Sequence, residues 1–484
     1  MNFRYIPEPS LQFGQGQHIC PRQGIFEYNP FDIRFVRPEK IIIGIVGKSE
    51  SIEKILQWIE ACKSHIDGKK SKNPHPRLFP NFCGFNRSVG FCCEVVYDVS
   101  YIRKLNNSEL NSILTNDSYN LENRIEQIAA LYLTEIKYLS KNKNPDVILC
   151  VLDENFIDYL KEADTVVTEE DEEDDSTLYE DVDHEESSSE KEQNFRRYLK
   201  ARSMQYNVPI QIVRDRIGKP TGEMQDPATI AWNFFTALYY KSSGTPWALI
   251  RKDFSETTCY AGVSFFRSRD KKSLQTSIAQ IFNELGNGVI LRGEEVRVTK
   301  KDRIPHLTAE QAYRLLAKSL REYHESVKIF PQRLVLHKSS NFNEEEIDGF
   351  VQAARELHVD QVDLITIRRS EFRIYREGEY PPLRGTHMAL TDAFHILYTR
   401  GSVPFYETYP GKYIPRALEV IIPYRDESQN LICDEILSLT KMNWNNTQFD
   451  RLYPITIECA RNVGEILKYL EADEPMQLKY SFYM

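Results

Sequence analysis

The 484-residue sequence predicts an α/β protein with two sheet-containing domains in series. Continuous apolar runs at 40–47 and 146–152 have the pattern of strands buried on both faces. Helical periodicity separates them, so strands alternate with helices as in a parallel, Rossmann-like sheet. Beyond residue 245 the order changes to strand, strand, helix and further strands, which fits an RNase H-like domain.

Element by element, residues 1–38 are rich in Pro and Gly and weakly periodic, which predicts an irregular extension draped on the body. The first domain covers 39–245. Its opening strand at 40–47 is followed by Ser51, a candidate helix cap, and by Ile52, Ile55, Leu56 and Ile59 on one helical face. A second helical pattern lies at 120–140, then the strand at 146–152, a helix at 195–206, a strand at 210–213 and a helix at 230–240. The second domain covers 246–484. Strands are expected at 259–266 and 333–337, a helix at 344–357, and a strand pair at 362–367 and 372–375.

The formal charge of −10 argues against a nucleic-acid partner until its distribution is examined. Residues 162–190 contain 15 acidic side chains and no Lys or Arg; without them 61 basic face 71 − 15 = 56 acidic, a balance of +5. The acidic segment 162–193 is too polar to order itself and is expected to be a solvated insert. Nine scattered cysteines without a Cys-x-x-Cys pair fit a reducing compartment. No run approaches the length of a membrane span and the N-terminus lacks a signal-peptide pattern, so a cytoplasmic protein without membrane contact is expected.

Gly44-Ile-Val-Gly47-Lys48-Ser49 superficially suggests a phosphate loop, but the required earlier glycine is replaced by Ile42 inside the strand. A strand-to-helix turn is the better reading. Lys200, Gln211 and Lys241 sit on a predicted helix, the following strand and the end of the next helix. Together they could converge on one anion: two ammonium groups supply charge and an amide supplies a hydrogen bond. Arg368, Arg369, Arg373 and Arg384 lie among aromatic residues and could track a phosphate backbone.

The stretch beginning at Arg376, Arg-Glu-Gly-Glu-Tyr-Pro-Pro-Leu-Arg-Gly-Thr, resembles the PIWI domain of prokaryotic Argonautes. So does Leu-Tyr-Thr-Arg-Gly-Ser-Val-Pro-Phe-Tyr-Glu-Thr-Tyr-Pro-Gly-Lys-Tyr-Ile-Pro-Arg, which starts at Leu397. Glu8-Pro9-Ser-Leu11-Gln-Phe13-Gly14 and Pro21-Arg22 followed by Gly24-Ile25 resemble the start of short members, and the likeness covers nearly the whole chain. It implies a Rossmann-like MID domain at 39–245 and an RNase H-like PIWI domain at 246–484, without the N and PAZ domains of long members.

The resemblance also implies a pocket for a guide's 5′ phosphate at Arg196, Lys200, Gln211 and Lys241, with Arg196 where many members have Tyr. In related proteins a divalent ion, here expected as Mg²⁺, bridges that phosphate, the Gln and the C-terminal carboxylate; Gln211 and Met484 are the matching positions. Nuclease members hold carboxylates around metal ions. Ser264, in Gly262-x-Ser264, stands where the first acid belongs, Ser339 where another belongs, and Arg461 at the last. The resemblance therefore implies a non-cutting reader that carries guide RNA and pairs it with single-stranded target DNA. Its expected partner is an APAZ-domain effector, with a sirtuin-like NAD-hydrolysing type favoured over a TIR or nuclease type, and its expected role is abortive defence against plasmid or phage. Two rivals remain open: a nuclease using displaced acids such as Glu345, and a scaffold that binds no guide.

Overall fold

The computed structural model describes residues 2–69, 75–116, 118–164, 190–218, 225–250, 257–269, 273–281, 288–296, 304–374, 381–409, 414–471 and 474–484. Most of the acidic insert, 165–189, lies outside them.

The N-terminal segment is more regular than its composition predicts. It forms β1 (Asn2–Tyr5), β2 (Leu11–Gln12), β3 (Gln17–His18) and α1 (Pro21–Tyr28). Pro21 opens α1, where its missing N–H costs nothing.

The first domain follows with β4 (Lys40–Gly47), α2 (Ser49–Ala61), β5 (Glu94–Val96), β6 (Ile102–Lys104), α3 (Asn107–Leu114), α4 (Leu121–Asn142) and β7 (Val147–Leu152). It continues through α5 (Glu154–Asp164), α6 (Glu190–Ser203), β8 (Ile210–Arg214) and α7 (Pro227–Lys241). All its strand pairings are parallel, in the order β5-β4-β7-β8 with β6 also on β4. β7 is buried at every residue, as its unbroken apolar run requires. Gly47 ends β4 and Ser49 begins α2, the strand-to-helix turn expected; Lys48 there pairs with Asp153 at 2.8 Å. Ser51 is not the cap but lies within the first turn, where its buried hydroxyl donates to Asp215 at 2.9 Å.

The second domain holds β9 (Ala248–Leu249), β10 (Thr258–Arg267), β11 (Leu274–Ile281), β12 (Gly288–Val296), α8 (Ala309–Val327), β13 (Arg333–Lys338), α9 (Glu344–Glu356) and β14 (Gln361–Arg369). Then come β15 (Thr386–Ala389), β16 (Phe394–Leu397), β17 (Leu418–Tyr424), α10 (Gln429–Leu439) and α11 (Ile455–Leu467). Its sheet runs β1-β15-β16-β17-β14-β13-β10-β11-β12. β10, β11 and β12 form an antiparallel meander, and β13 and β14 add in parallel beside β10. This is the RNase H-like order.

Two expectations are corrected. Residues 372–374 form no strand; β14 is flanked by β13 and by β17, whose alternating pattern gave a weaker signal. The N-terminal segment is not merely draped, because β1 is the edge strand of the large sheet, antiparallel to β15. Ile6 N–H donates to Gly385 O at 2.9 Å. Gly385 adopts φ +91°, and a Cβ there would lie 2.1 Å from Ile6 O, so this close approach needs glycine.

A single apolar core joins the two domains, running from Ile43 and Phe235 through Trp247 to Ile367, Val420 and Ile457. Trp247 donates its indole N–H to Lys441 O, and Trp444 donates to Trp247 O. The residues linking the domains are therefore core, not a free linker.

Candidate functional site

Four of the sequence-predicted residues meet at β8. Lys241 is the last residue of α7 and is 4% exposed. Its ammonium donates to Ile210 O at 2.8 Å and to Met484 O at 2.9 Å. Arg196, on α6, donates to Ile212 O at 3.5 Å. Gln211 thus sits between two carbonyls held by the two cations that flank it. Its Oε1 is buried and has no hydrogen-bond partner among the described residues. A buried amide oxygen left unpaired costs about 1–3 kcal/mol, so this one is open to a water or a ligand. Lys200 lies one helical turn beyond Arg196 on the same face of α6, partly exposed.

The Met484 contact depends on an ordered tail. Tyr480, Tyr483 and Met484 are buried in the shared core, and the Tyr483 hydroxyl donates to Gln477 O. Arg202 pairs with Glu474, and Arg197 with Glu465 at 2.9 Å, so α6 is clamped to the second domain on the same side.

Two residues of this region escaped the sequence reading. Glu192 is wholly buried and binds both Arg196, at 2.8 Å, and Arg214. The expected acidic insert therefore ends too late at 193, since Glu192 is a structural residue of α6. It was masked by the acidic run before it, and only its i, i+4 spacing to Arg196 hinted at the pair. One carboxylate shared by two guanidiniums leaves the pocket wall net positive.

The second group lies along β10. Ser264 is 3% exposed, on the face that also presents Gly262 and Phe266. α11 crosses that face. A Cβ on Gly262 would fall 2.0 Å from Thr456 O, and one on Gly464 would fall 3.0 Å from Phe266. Ser264 lies between these contacts, beside the turn of α11 that carries Arg461. Val263 is in parallel register with Lys338, the last residue of β13, so Ser339 follows the end of that strand beside β10. Ser264 and Arg461 lie on β10 and on the helix packed across it. The Arg461 guanidinium stacks 4.1 Å from the Tyr453 ring centroid. Glu458, one turn earlier, is taken by Arg451 and by Asn443 at 3.0 Å.

The acids after β13 are accounted for by helix physics. Asn343 and Glu346 form a capping box on α9. Glu346 is wholly buried and binds Lys338 at 2.6 Å, while Glu344 and Glu345 are exposed. His337, in register with Gly262, is completely buried, with Nδ1 2.7 Å from Thr456 Oγ1. Burial, with Arg333 adding to it, pushes its pKa down to about 3.

The arginine series divides. Arg368 is half-exposed at the end of β14 and pairs with Glu419 at 2.6 Å. Arg369 approaches Glu371 at 3.5 Å, and exposed Arg373 donates to Ser370 O and Phe372 O. Arg384 does not belong with them. It is buried, with Glu8 at 2.8 Å, Thr440 Oγ1 at 2.8 Å and the Thr399 carbonyl filling its donors. It is a core residue and cannot reach a phosphate backbone.

The fold recurs in solved structures. Clostridium butyricum Argonaute bound to a guide DNA and a 19-mer target DNA matches with TM-score 0.63 at 15% identity, over 97% of this chain and 53% of that one. The chain has an Argonaute-like fold. Drosophila Piwi matches with TM-score 0.60 at 13% identity, over 99% of this chain and 56% of that one. Marinitoga piezophila Argonaute in complex with a 5′ OH guide RNA matches with TM-score 0.58 at 11% identity, over 100% and 59%. The chain therefore spans just over half the length of these Argonaute-like neighbours. No protein-family model and no curated protein matches its sequence. The Argonaute-like architecture accounts for both sheets: a Rossmann-like MID-type domain and an RNase H-like PIWI-type domain. No helix among the described residues is long and apolar enough to cross a membrane.

Proposed function

We propose that this chain is a guide-loaded reader of nucleic acid that does not itself cut. The observation that carries the proposal is the convergence on β8: Lys241 and Arg196 on either side of Gln211, whose buried Oε1 has no partner among the described residues. In this reading a guide's 5′ phosphate enters beside Lys200, Lys241 supplies charge, and Gln211 supplies the specific contact. The amide oxygen of Gln211 and the main-chain oxygen of Met484 are the hard donors that Mg²⁺ takes. They would hold the ion, and the ion would neutralise the phosphate. Arg368, Arg369 and Arg373 would meet the backbone of the paired strands without reading sequence.

The guides and target named for the neighbouring structures support a nucleic-acid reading of this fold. Guide RNA with single-stranded DNA as target remains the favoured pairing. For cutting, a PIWI-type site must hold divalent cations. Two neutral hydroxyls, Ser264 and Ser339, cannot balance that charge, and Arg461 would oppose it. Effector chemistry would then belong to a partner of the APAZ type, sirtuin-like or TIR, that target pairing switches on in defence against plasmid or phage.

The test is to purify the chain with its genomic neighbour and end-label the co-purifying nucleic acid before and after phosphatase. Short RNA labelled only after phosphatase is the expected result. A Lys200→Ala/Lys241→Ala double variant with unchanged guide occupancy would overturn the pocket assignment. Mg²⁺-dependent cleavage of a matched target would overturn the non-cutting assignment.

A further inference from the structure

Away from β8 and β10, two neighbouring strands and a helix bring three metal-binding side chains together. His387 on β15 pairs with Leu397, and His395 on β16 pairs with Ala389. The two histidines are therefore diagonal neighbours on one face of the hairpin. Cys433 of α10 packs against that face. All three residues are buried, at 2%, 0% and 0% exposure.

His387 Nε2 lies 3.1 Å from His395 Nδ1, and Cys433 Sγ lies 3.5 Å from His387 Nε2. One donor atom from each lies within 4.8 Å of the other two, the only such His, Cys, Asp or Glu group among the described residues. A tetrahedral zinc ion, with Zn–N about 2.0–2.1 Å and Zn–S about 2.3 Å, spaces two nitrogens about 3.3 Å apart and nitrogen from sulfur about 3.5 Å. The two spacings that involve His387 Nε2, 3.1 Å and 3.5 Å, are close to these values, and His395 Nδ1 and Cys433 Sγ lie within 4.8 Å of each other.

The hydrogen bonds around the cluster orient one of its two imidazoles. His395 Nε2 lies 3.2 Å from Asp392 O, so its N–H is spent there and the Nδ1 lone pair faces His387 and Cys433. That is how a second partner orients a metal-ligating imidazole. His387 Nδ1 is buried with no hydrogen-bond partner among the described residues, which holds whether Nε2 donates to His395 or ligates a metal.

We propose that His387 Nε2, His395 Nδ1 and Cys433 Sγ bind one Zn²⁺ ion, with a small ligand such as water in the fourth position. Two imidazoles and a thiolate are a borderline-soft set that favours zinc over magnesium, the reverse of the all-oxygen donors at β8. Binding forms two Zn–N bonds and one Zn–S bond and releases the thiol proton to solvent. The site is structural. It fastens the β15–β16 hairpin to α10 and also steadies β1, because Arg4 is the register partner of His387 and pairs with Asp434 of α10 at 2.7 Å.

The experiment strips the full-length chain with chelator, adds Zn²⁺ or Co²⁺ alone, desalts it and measures bound metal. About one zinc per folded chain is expected, together with thiolate-to-metal charge-transfer absorption in the cobalt form. Cys433→Ser should abolish that absorption, and His395→Asn should lower retained zinc about tenfold or more. Wild-type chain retaining under about a tenth of an equivalent would overturn the proposal, as would equal retention in both variants. If Cys433→Ser does not fold, the wild-type cobalt spectrum and His395→Asn decide: no thiolate band, or a band unchanged by His395→Asn, overturns it.

Discussion

Glu8 accepts a hydrogen bond from Arg384 Nε at 2.8 Å across 376 residues of sequence, and Lys441 Nζ reaches its other oxygen at 2.9 Å. All three charges are buried. Burial alone would raise the Glu8 carboxyl, but Arg384 and then Lys441 outweigh it and hold it below the usual range. Burial drives the Lys441 ammonium down, and Glu8 only partly restores it. Glu8→Gln leaves two buried cations facing each other without a counter-ion. The expected loss is about 3–5 kcal/mol, read from the urea midpoint at neutral pH.

Gln211 offers a cleaner test of the pocket than any lysine. Its Oε1 has no partner among the described residues, so Gln211→Leu breaks no hydrogen bond to that oxygen. Stability should change by less than about 1 kcal/mol, while affinity for a 5′-phosphorylated guide should fall about tenfold or more. Affinity for a 5′-hydroxyl guide should move much less. Equal losses for both guides would show that the residue acts on the fold.

Two substitutions on β10 should differ sharply. Ser264→Ala should leave guide loading and target binding unchanged and shift stability by less than about 1 kcal/mol. Gly262→Ala drives a methyl into the Thr456 backbone, 2.0 Å away, and must lift α11 from the sheet. Its expected cost is more than about 3 kcal/mol, measured by denaturant unfolding.

His337 makes stability pH-dependent in a stated direction. Its pKa falls from 6.5 to about 3, so the unfolded chain binds the proton first as pH drops. Stability is therefore full above about 6.5 and declines towards about 3, by at most about 1.4 kcal/mol per pH unit from this residue. His337→Gln should flatten the decline between pH 6.5 and 4.5. An unchanged slope would place the effect elsewhere.

The buried parallel strands were legible because burial on both faces writes an unbroken apolar run, as in β4 and β7. The placement of Lys200, Gln211 and Lys241 on a helix, the following strand and the end of the next helix was legible through element order. β15, β16 and β1 were not, since strands of four residues are too short to show a period. Arg384 misled for the same kind of reason. Its neighbours in sequence are arginines and aromatics at a surface, whereas its partner in space is Glu8. A long-range ion pair leaves no local trace, and neither does the meeting of His387, His395 and Cys433.

The edge strand has a consequence for how the molecule is made. Residues 2–5 are synthesised long before their partners, 386–389. Closing so long a loop adds only a logarithmic entropy cost, but non-local pairing of this kind is slow. The β15 edge stays open until the N-terminal strand returns to it, and an open edge recruits other chains. Maturation of the large sheet should therefore be the step most exposed to misassembly, and the one most helped by chaperones that hold β1 until β15 is made.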